Sequence, residues 1–330
     1  AAKPTIALAE FGGTARAGHI SKVLPPMGAD GNHLGATCDG ADLDDNGSAE
    51  VLLAAALNRS GASAPAFGAP TNSAEGTGGT TDGTLFVLWD DNFVGDPWPA
   101  GFTIDLGDTP GARTRIDGSV LHRSFGEELN GGVDFDGDDR ADLFVGDLAG
   151  DLSSDSRPMS GVGHVFYDAA SLRGLDFDMG AVPSELRVTT LLGAAAGYIS
   201  ADTTVIGDFD GDGIGDLATG SPKASPDGRS IAGTIHVLFG QDGGWPAEID
   251  LRDLDTIDES DVLITTILGA QGTVDADRGD MICYSAAGGD IDGDGQQDIV
   301  TNEMLGNGVD PASIDVGNLI VINGDLLRSP

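Results

Sequence analysis

The chain has 330 residues, enough to bury a sizeable core, and a formal net charge of −38 from 54 acidic and 16 basic residues. A surface of this sign repels phosphate, so nucleic acid is excluded as a partner and cations are favoured. The longest apolar run, residues 51–57, falls far short of the about 20 residues that span a bilayer, so no membrane insertion is expected.

One acidic motif occurs four times along the chain. Its copies are DLDDNGSAEV at residues 42–51, DFDGDDRADL at 134–143, DFDGDGIGDL at 208–217 and DIDGDGQQDI at 290–299. Asp45 in the first copy and Asp139 in the second stand where the other copies have glycine. The spacing is regular enough for each copy to mark one structural module.

The acidic motifs lie within a repeated order of predicted strands. A β-rich run follows each motif, and then a Gly-led alternating strand, seen as GTLFVLWD, GVGHVFYD, GTIHVLFG and GNLIVING. An IDL-like segment and a further strand, such as LRVTTLLG or DVLITTILG, lie between modules. Short strands joined by Gly, Asp and Asn turns predict four-stranded antiparallel sheets, and sheets that bury one apolar face must pack on their neighbours.

This order of alternating strand, D-x-D-G-D-x-x-x-D loop, apolar strand and G-x-h-x-V-h strand resembles the FG-GAP repeat of integrin α-chain β-propellers and their bacterial relatives. The resemblance covers nearly the whole chain. It implies an all-β fold, a β-propeller of four-stranded antiparallel blades. The four approximate modules are residues 11–110, 111–185, 186–259 and 260–330.

The two ends of the chain have complementary places in this repeat. Residues 5–10, TIALAE, occupy the position of the RVTTLLG strand, and GNLIVING near the C terminus is the strand that normally precedes it. The N-terminal strand is therefore expected to complete the last blade and close the ring, or else to complete a sheet of a neighbouring chain. Closure would bring Cys38 and Cys283 to neighbouring strands, where a disulfide is one option.

The acidic loops present oxygen ligands at the spacing that calcium requires. A loop with carboxylates at positions 1, 3, 5 and 9 and a backbone carbonyl at position 7 can wrap one Ca²⁺, whereas solvated Asp-Gly turns are the alternative. About four ions are expected, the first loop binding most weakly because it has one carboxylate fewer. The predicted ligands are Asp42, Asp44, Asn46, Ser48 and Glu50; Asp134, Asp136, Asp138, Arg140 and Asp142; Asp208, Asp210, Asp212, Ile214 and Asp216; and Asp290, Asp292, Asp294, Gln296 and Asp298.

Sequence patterns for catalysis are absent, since the five histidines form no HExxH motif and no G-x-S-x-G elbow occurs. His164 and His236 share one repeat position, filled elsewhere by apolar residues, so a packing role is expected. The WPA segments with Trp98 and Trp245 are expected to pack within blades. The tripeptide Arg-Gly-Asp at residues 278–280 is interpreted as coincidence in a chain rich in Gly and Asp.

The resemblance implies a calcium-stabilised binding or adhesion module, secreted or displayed at a surface, with a protein or glycan ligand and no enzymatic activity. One alternative is a self-assembling structural subunit, of a filament or surface layer, that donates its N-terminal strand to the next copy. Another is a polysaccharide-binding or polysaccharide-active propeller. Extracellular calcium sites work at dissociation constants of about 10⁻⁴ to 10⁻³ M, which favours a location outside the cell.

Overall fold

The fold consists of short strands with very little helix. The computed structural model describes residues 22–24, 34–56, 83–90, 103–106, 113–119, 121–309 and 313–328. Every helix in these ranges is a short 3₁₀ turn, and none is long or apolar enough to cross a membrane. The 3₁₀ helices are Ala169–Leu172, Met179–Ala181, Pro226–Gly228, Leu254–Thr256 and Gly324–Leu326.

The strands follow one another in a repeated order along the described ranges. They are β1 (Lys22–Leu24), β2 (Thr37–Ala41), β3 (Glu50–Ala54), β4 (Thr84–Leu88), β5 (Thr103–Asp105), β6 (Arg113–Asp117), β7 (Glu128–Val133), β8 (Asp142–Asp147), β9 (Val162–Phe166), β10 (Asp176–Asp178), β11 (Val188–Leu192), β12 (Thr204–Gly207), β13 (Asp216–Ser221), β14 (Thr234–Leu238), β15 (Glu248–Asp250), β16 (Ile264–Leu268), β17 (Ile282–Gly289), β18 (Asp298–Glu303) and β19 (Asn318–Ile322).

Four sheets contain nearly all of these strands. Sheet 1 has the order β10-β6-β4-β3-β2, sheet 2 the order β15-β11-β9-β8-β7, sheet 3 the order β12-β13-β14-β16 and sheet 4 the order β17-β18-β19. Neighbouring strands in these sheets pair antiparallel, with two exceptions. β10 pairs in parallel with β6 at the edge of sheet 1, and β15 pairs in parallel with β11 at the edge of sheet 2. The remaining pair, β1 and β5, is also parallel. The first strands are in contact in series, β2 with β7, β7 with β12 and β12 with β17.

The prediction of an all-β fold built from small repeated sheets is confirmed, but four uniform blades are not what the described residues show. Sheets 1 and 2 have five strands and sheet 4 has three, and no sheet closes on itself within the described ranges. The difference arises because two IDL-like segments form β10 and β15, which join the sheet of the preceding module. Sheets are also offset from the modules by one strand, since β6, β11 and β16 start after residues 110, 185 and 259.

The apolar cores lie between successive sheets. In β8, Leu143 and Val145 belong to the core shared with sheet 1, whereas Phe144 belongs to the core shared with sheet 3. Sheets 3 and 4 share a further core that includes Ile235 and Ile299. Because side chains alternate across a strand, sheet 2 buries both of its faces rather than the one face expected from the sequence. Packing between neighbours is therefore the main source of apolar burial.

Candidate metal centre

The four acidic loops occupy the same place in each sheet, between its first strand and its second. Position 9 of each loop is the first residue of β3, β8, β13 or β18. In every loop three carboxylates offer oxygens that lie within 4.8 Å of one another. The groups are Asp42, Asp44 and Glu50; Asp134, Asp136 and Asp142; Asp208, Asp210 and Asp216; and Asp290, Asp292 and Asp294.

Left-handed backbone at positions 4 and 6 lets each loop curl around its carboxylates. In the third loop Gly211 and Gly213 have φ of 77° and 92°, values that cost little only for glycine. Asp45 at position 4 of the first loop and Asp139 at position 6 of the second have φ of 57° and 62°. The loop conformation therefore persists where glycine has been replaced, and aspartate is among the residues that tolerate this region best.

The position 9 carboxylate is buried and is fixed by backbone N–H groups on two sides. Phe209 N donates to Asp216 Oδ2 at 2.7 Å and Gly240 N donates to Oδ1 at 2.8 Å. Burial raises the pKa of Glu50, of Asp142 and of Asp216 to about 7. At Asp298 the amide hydrogen bonds lower the pKa instead. A positive ion would remove the cost of ionising the first three groups.

The position 3 carboxylate is held by a guanidinium that stacks on an aromatic ring. Arg187 Nη1 lies 2.6 Å from Asp136 Oδ2, and its guanidinium lies 4.0 Å from the Tyr167 ring centroid. Two other loops repeat this arrangement: Arg173 bonds Asp44 and stacks on Trp89, and Arg328 bonds Asp210 and stacks on Phe239. In the fourth loop Asn323 donates to Asp292.

Two position 3 carboxylates each keep one oxygen without a partner. Oδ1 of Asp44 and Oδ1 of Asp136 are buried and have no hydrogen-bond partner among the described residues. Asp136 is only 7% exposed, and a buried carboxylate oxygen without a partner is costly. Asp44 and Asp136 each belong to one of the groups of clustered carboxylates. The donor set therefore fits a hard cation such as Ca²⁺.

Backbone hydrogen bonds join the loops of neighbouring sheets to one another. Gly215 N, at position 8 of the third loop, donates to the carbonyl of Asp134 at 2.7 Å. Gln297 N, at position 8 of the fourth loop, donates to the carbonyl of Asp208 at 3.2 Å. Loops 2, 3 and 4 therefore form a continuous series, in which the position 1 residues Asp134 and Asp208 also contact the next loop.

The third loop lies within a known repeat. A family model of the FG-GAP repeat matches residues 201–238, which contain β12, the third loop, β13 and β14. The chain carries an FG-GAP repeat. The comparison with curated proteins found no similar sequence.

The acidic loops bring together many of the predicted ligands. Positions 1 and 3 cluster in all four loops, and position 9 joins them in the first three. The position 5 side chain accepts the N–H of position 7 through Oδ1, as Asp212 does from Ile214 N at 2.9 Å and Asp294 does from Gln296 N. Asp294 also belongs to the carboxylate group of its loop, which does not include Asp298. The position 7 carbonyls of Ser48, Arg140, Ile214 and Gln296 remain predictions.

The arginines that hold the acidic loops were missed from the sequence. Arg173 and Asp44 are 129 residues apart in the chain, so no local pattern connects them. A signal existed in the repeat, because Trp89, Tyr167 and Phe239 share the position that follows the Gly-led strand. An aromatic residue at a fixed place beside an acidic loop is a platform for a cation.

Several side chains that the sequence singled out lie away from the FG-GAP loops. Cys38 and Cys283 are free thiols, so the structure lacks the disulfide considered above. In the Arg-Gly-Asp tripeptide, Arg278 is exposed and pairs with Asp315, whereas Asp280 is only 4% exposed, so the tripeptide does not present its carboxylate at the surface. Residues 5–10 and Trp98 lie outside the described residues.

The expected packing roles of Trp245 and of the two recurring histidines are confirmed. Trp245 is buried, its Nε1 donates to the Phe239 carbonyl at 2.7 Å, and its ring packs on Phe135. His164 and His236 are 2% and 6% exposed, and each places Nδ1 3.2 Å from a threonine hydroxyl of the adjacent strand. None of these side chains is available as a surface ligand.

Proposed function

We propose that the protein is a calcium-stabilised, extracellular FG-GAP binding or adhesion module. The observation that carries the proposal is the unpartnered, buried Oδ1 of Asp136 within a group of three converging carboxylates. Such an oxygen is tolerable when a cation completes its coordination. The second loop would hold the ion through Asp134, Asp136 and Asp142, and the equivalent groups would serve in the other loops.

Calcium suits these loops better than magnesium does. The donors are carboxylate oxygens on a curled backbone, and calcium accepts irregular oxygen coordination, whereas magnesium demands a near-octahedral shell and keeps its waters. FG-GAP repeats generally bind calcium and are typically extracellular, which supports the same location for this chain. Bound Ca²⁺ would supply positive charge at the start of β3, β8, β13 and β18.

The function assigned to the module is binding of a protein or glycan ligand, without catalysis. Mutually contacting loops and cores shared between sheets give a rigid support, and binding residues are commonly presented on such supports. The described tryptophans, Trp89 and Trp245, are 0% and 3% exposed, so neither is offered to a sugar ring. A polysaccharide-active propeller therefore receives less support than a binding module.

Thermal melting with calcium, magnesium or chelator tests the proposal. If each of four sites is held at ten times its dissociation constant, linkage adds about 1.4 kcal/mol per site, or about 5–6 kcal/mol together. For a chain of this size that is a rise in melting temperature of roughly 10 °C. Asp136→Asn should lose about one quarter of the rise, whereas the matched control Asp258→Asn, an exposed carboxylate outside the loops, should keep it all. Identical melts in calcium and in excess chelator would refute calcium binding.

A second candidate function, self-assembly by strand addition, is favoured by the outer edge of sheet 4. Among the described strands β19 pairs only with β18, and Leu319 and Val321 on it are 75% and 51% exposed. An exposed apolar edge strand is a template for a strand from another copy. Light scattering from 1 µM to about 1 mM protein tests this, and a concentration-independent monomer mass would contradict it.

A further inference from the structure

A short turn that follows β14, residues 240–243, supports the third acidic loop. Gly240 N donates to Oδ1 of Asp216, the buried position 9 carboxylate, at 2.8 Å. The corresponding amide of each other sheet donates to the position 9 carboxylate of its own loop. These donors are Asp90 N, Asp168 N and Gly324 N. The first amide of this turn is therefore a repeated part of the loops.

The same turn also binds the second loop, which belongs to the neighbouring sheet. Gln241 N donates to the carbonyl of Phe135 at 3.3 Å, and Gly243 N donates to the carbonyl of Asp136 at 2.8 Å. These carbonyls stand at positions 2 and 3 of the second loop. Gly215 N, in the third loop itself, donates to the position 1 carbonyl at 2.7 Å. Sheet 3 therefore holds three consecutive carbonyls of the second loop.

Arg187 fastens the turn to a predicted ligand side chain as well. Its Nη1 lies 2.6 Å from Asp136 Oδ2, and its Nη2 donates to the carbonyl of Gly243. The other oxygen of Asp136, Oδ1, is the buried atom without a hydrogen-bond partner. The ligand oxygens of the second loop and the amide that fixes Asp216 thus belong to one connected set of contacts.

The other neighbouring loops are joined less closely. The third and fourth loops share one backbone hydrogen bond, from Gln297 N to the carbonyl of Asp208 at 3.2 Å. No backbone hydrogen bond joins the first and second loops among the described residues, and their sheets are linked there by the side-chain contact of Arg173 with Asp44. The junction between the second and third loops is therefore the strongest of the three.

We propose that residues 240–243 position the ligands of two metal sites, so that calcium binding at the second loop strengthens calcium binding at the third, and the reverse. The coupling rests on the calcium binding proposed above and adds a link between two of its sites. Whichever loop binds first fixes the turn, and the other loop then needs less ordering to bind, which gives positive cooperativity. Such coupling commonly changes affinity by about 5–150-fold and is equal in both directions.

Calcium titration followed by amide NMR measures each loop separately, at about 0.15 M salt to screen repulsion between ions. The position 6 amide reports on its own loop, because it donates to the position 1 carboxylate. Asp136→Asn should lower calcium affinity at the third loop at least about 5-fold, and Asp210→Asn should lower affinity at the second loop by the same factor. The matched control is Asp44→Asn, the same change in the first loop, which should alter third-loop affinity less than about twofold.

Two results would distinguish failure of the coupling from failure of calcium binding. Reporter signals that do not respond to calcium in any loop of the native chain would refute calcium binding, and the coupling with it. Calcium binding at the third loop with the same affinity in Asp136→Asn as in the native chain, or unequal factors in the two directions, would refute the coupling alone. Native signals from the β14 amides, which pair with β13 and β16, verify that each variant is folded.

Hydrogen exchange locates the coupling in the turn. In Asp136→Asn, calcium should slow exchange of the Gln241 and Gly243 amides at least about 10-fold, because loading of the third loop fixes Asp216 and with it the turn. Arg229 N, which donates to a carbonyl in the connection between β13 and β14, is the internal control and should not change. Equal slowing at all three amides would indicate general stabilisation and would reject coupling through the turn.

Discussion

Acidification from pH 8 to pH 5 is expected to release calcium from three of the four acidic loops. A ligand carboxylate must be ionised to bind the cation, and protons compete for it below its pKa. Burial places the pKa of Glu50, Asp142 and Asp216 at about 7, so one such group weakens calcium binding about 100-fold at pH 5. The fourth loop should lose least, because hydrogen bonds lower the pKa of Asp298.

The same three carboxyl groups make the ion-free protein least stable at high pH. Each has a folded-state pKa of about 7, above its ordinary value of 3.8 for Asp or 4.5 for Glu, so the folded state binds more protons. Their contribution to stability is present below about pH 4 and is lost as pH rises through 7. The loss is on the order of 3–4 kcal/mol per group at pH 8, a large share of a typical 5–15 kcal/mol.

Histidine titration opposes this trend and must be separated from it. Burial lowers the pKa of His122 to about 4, below its ordinary 6.5, so its contribution to stability is lost as pH falls from about 6.5 to 4. His164, whose Nε2 lies 2.9 Å from Nε2 of His122, shifts in the same direction. Both rings lie outside the loops, so the difference between melts in calcium and in chelator removes their effect.

Calorimetric titration with calcium at pH 8, 7, 6 and 5, paired with melts at each pH, measures the effect. We expect affinity at three sites to fall steeply below pH 7, together with the calcium-induced rise in melting temperature. Glu50→Gln should abolish the pH-dependent part at one site and leave the others unchanged. Calcium affinity that is constant from pH 8 to pH 5 would refute the argument that buried, proton-competing carboxylates are the ligands.

Two further predictions concern arginine. Arg187→Lys keeps the charge but loses the planar guanidinium that holds Asp136, so it should weaken calcium binding at the second loop about 10-fold. The control variant Arg229→Lys, which lies outside the loops, should leave calcium affinity unchanged. Equal calcium affinities in the two variants would reject a positioning role for Arg187. Arg157→Ala should destabilise the protein by about 1–3 kcal/mol in denaturant unfolding, because it removes a buried guanidinium from half-buried Asp250, which keeps Arg252, and from the carbonyl of Gly193; an unchanged stability would contradict that.

The repeat was readable from the sequence because its chemistry is local. Asp134 and Asp142 are the first and last residues of a nine-residue loop, and a curled loop brings such residues together without help from the rest of the fold. The same holds for the left-handed positions, which glycine marks in most copies. Secondary structure class, sheet number and the placement of the loops before a buried strand all follow from this local pattern.

Features that depend on neighbouring sheets were not readable in the same way. The parallel addition of β10 to β6 joins segments of different modules, and no residue within either segment specifies it. Position 5 of the loops was expected to face the ion, and Oδ1 of Asp138 and of Asp212 also accepts the N–H group of Arg140 or Ile214, which the sequence did not indicate. An aspartate side chain in a tight turn can bind a metal ion or accept a backbone N–H group, and the spacing of aspartates in the sequence does not distinguish these two roles.

If calcium binds the acidic loops, their contacts place its effect at the joints between sheets. Arg173 follows β9 of sheet 2 but holds Asp44 of sheet 1, and Arg328 follows β19 of sheet 4 but holds Asp210 of sheet 3. The carbonyl of Asp134 likewise accepts Gly215 N from the next loop. Because an ion would fix the residues that make these contacts, its binding energy would resist separation of neighbouring sheets as well as unfolding of one loop. Loss of calcium should therefore loosen the array cooperatively, beginning with sheet 4, where Asn323 replaces the stacked arginine.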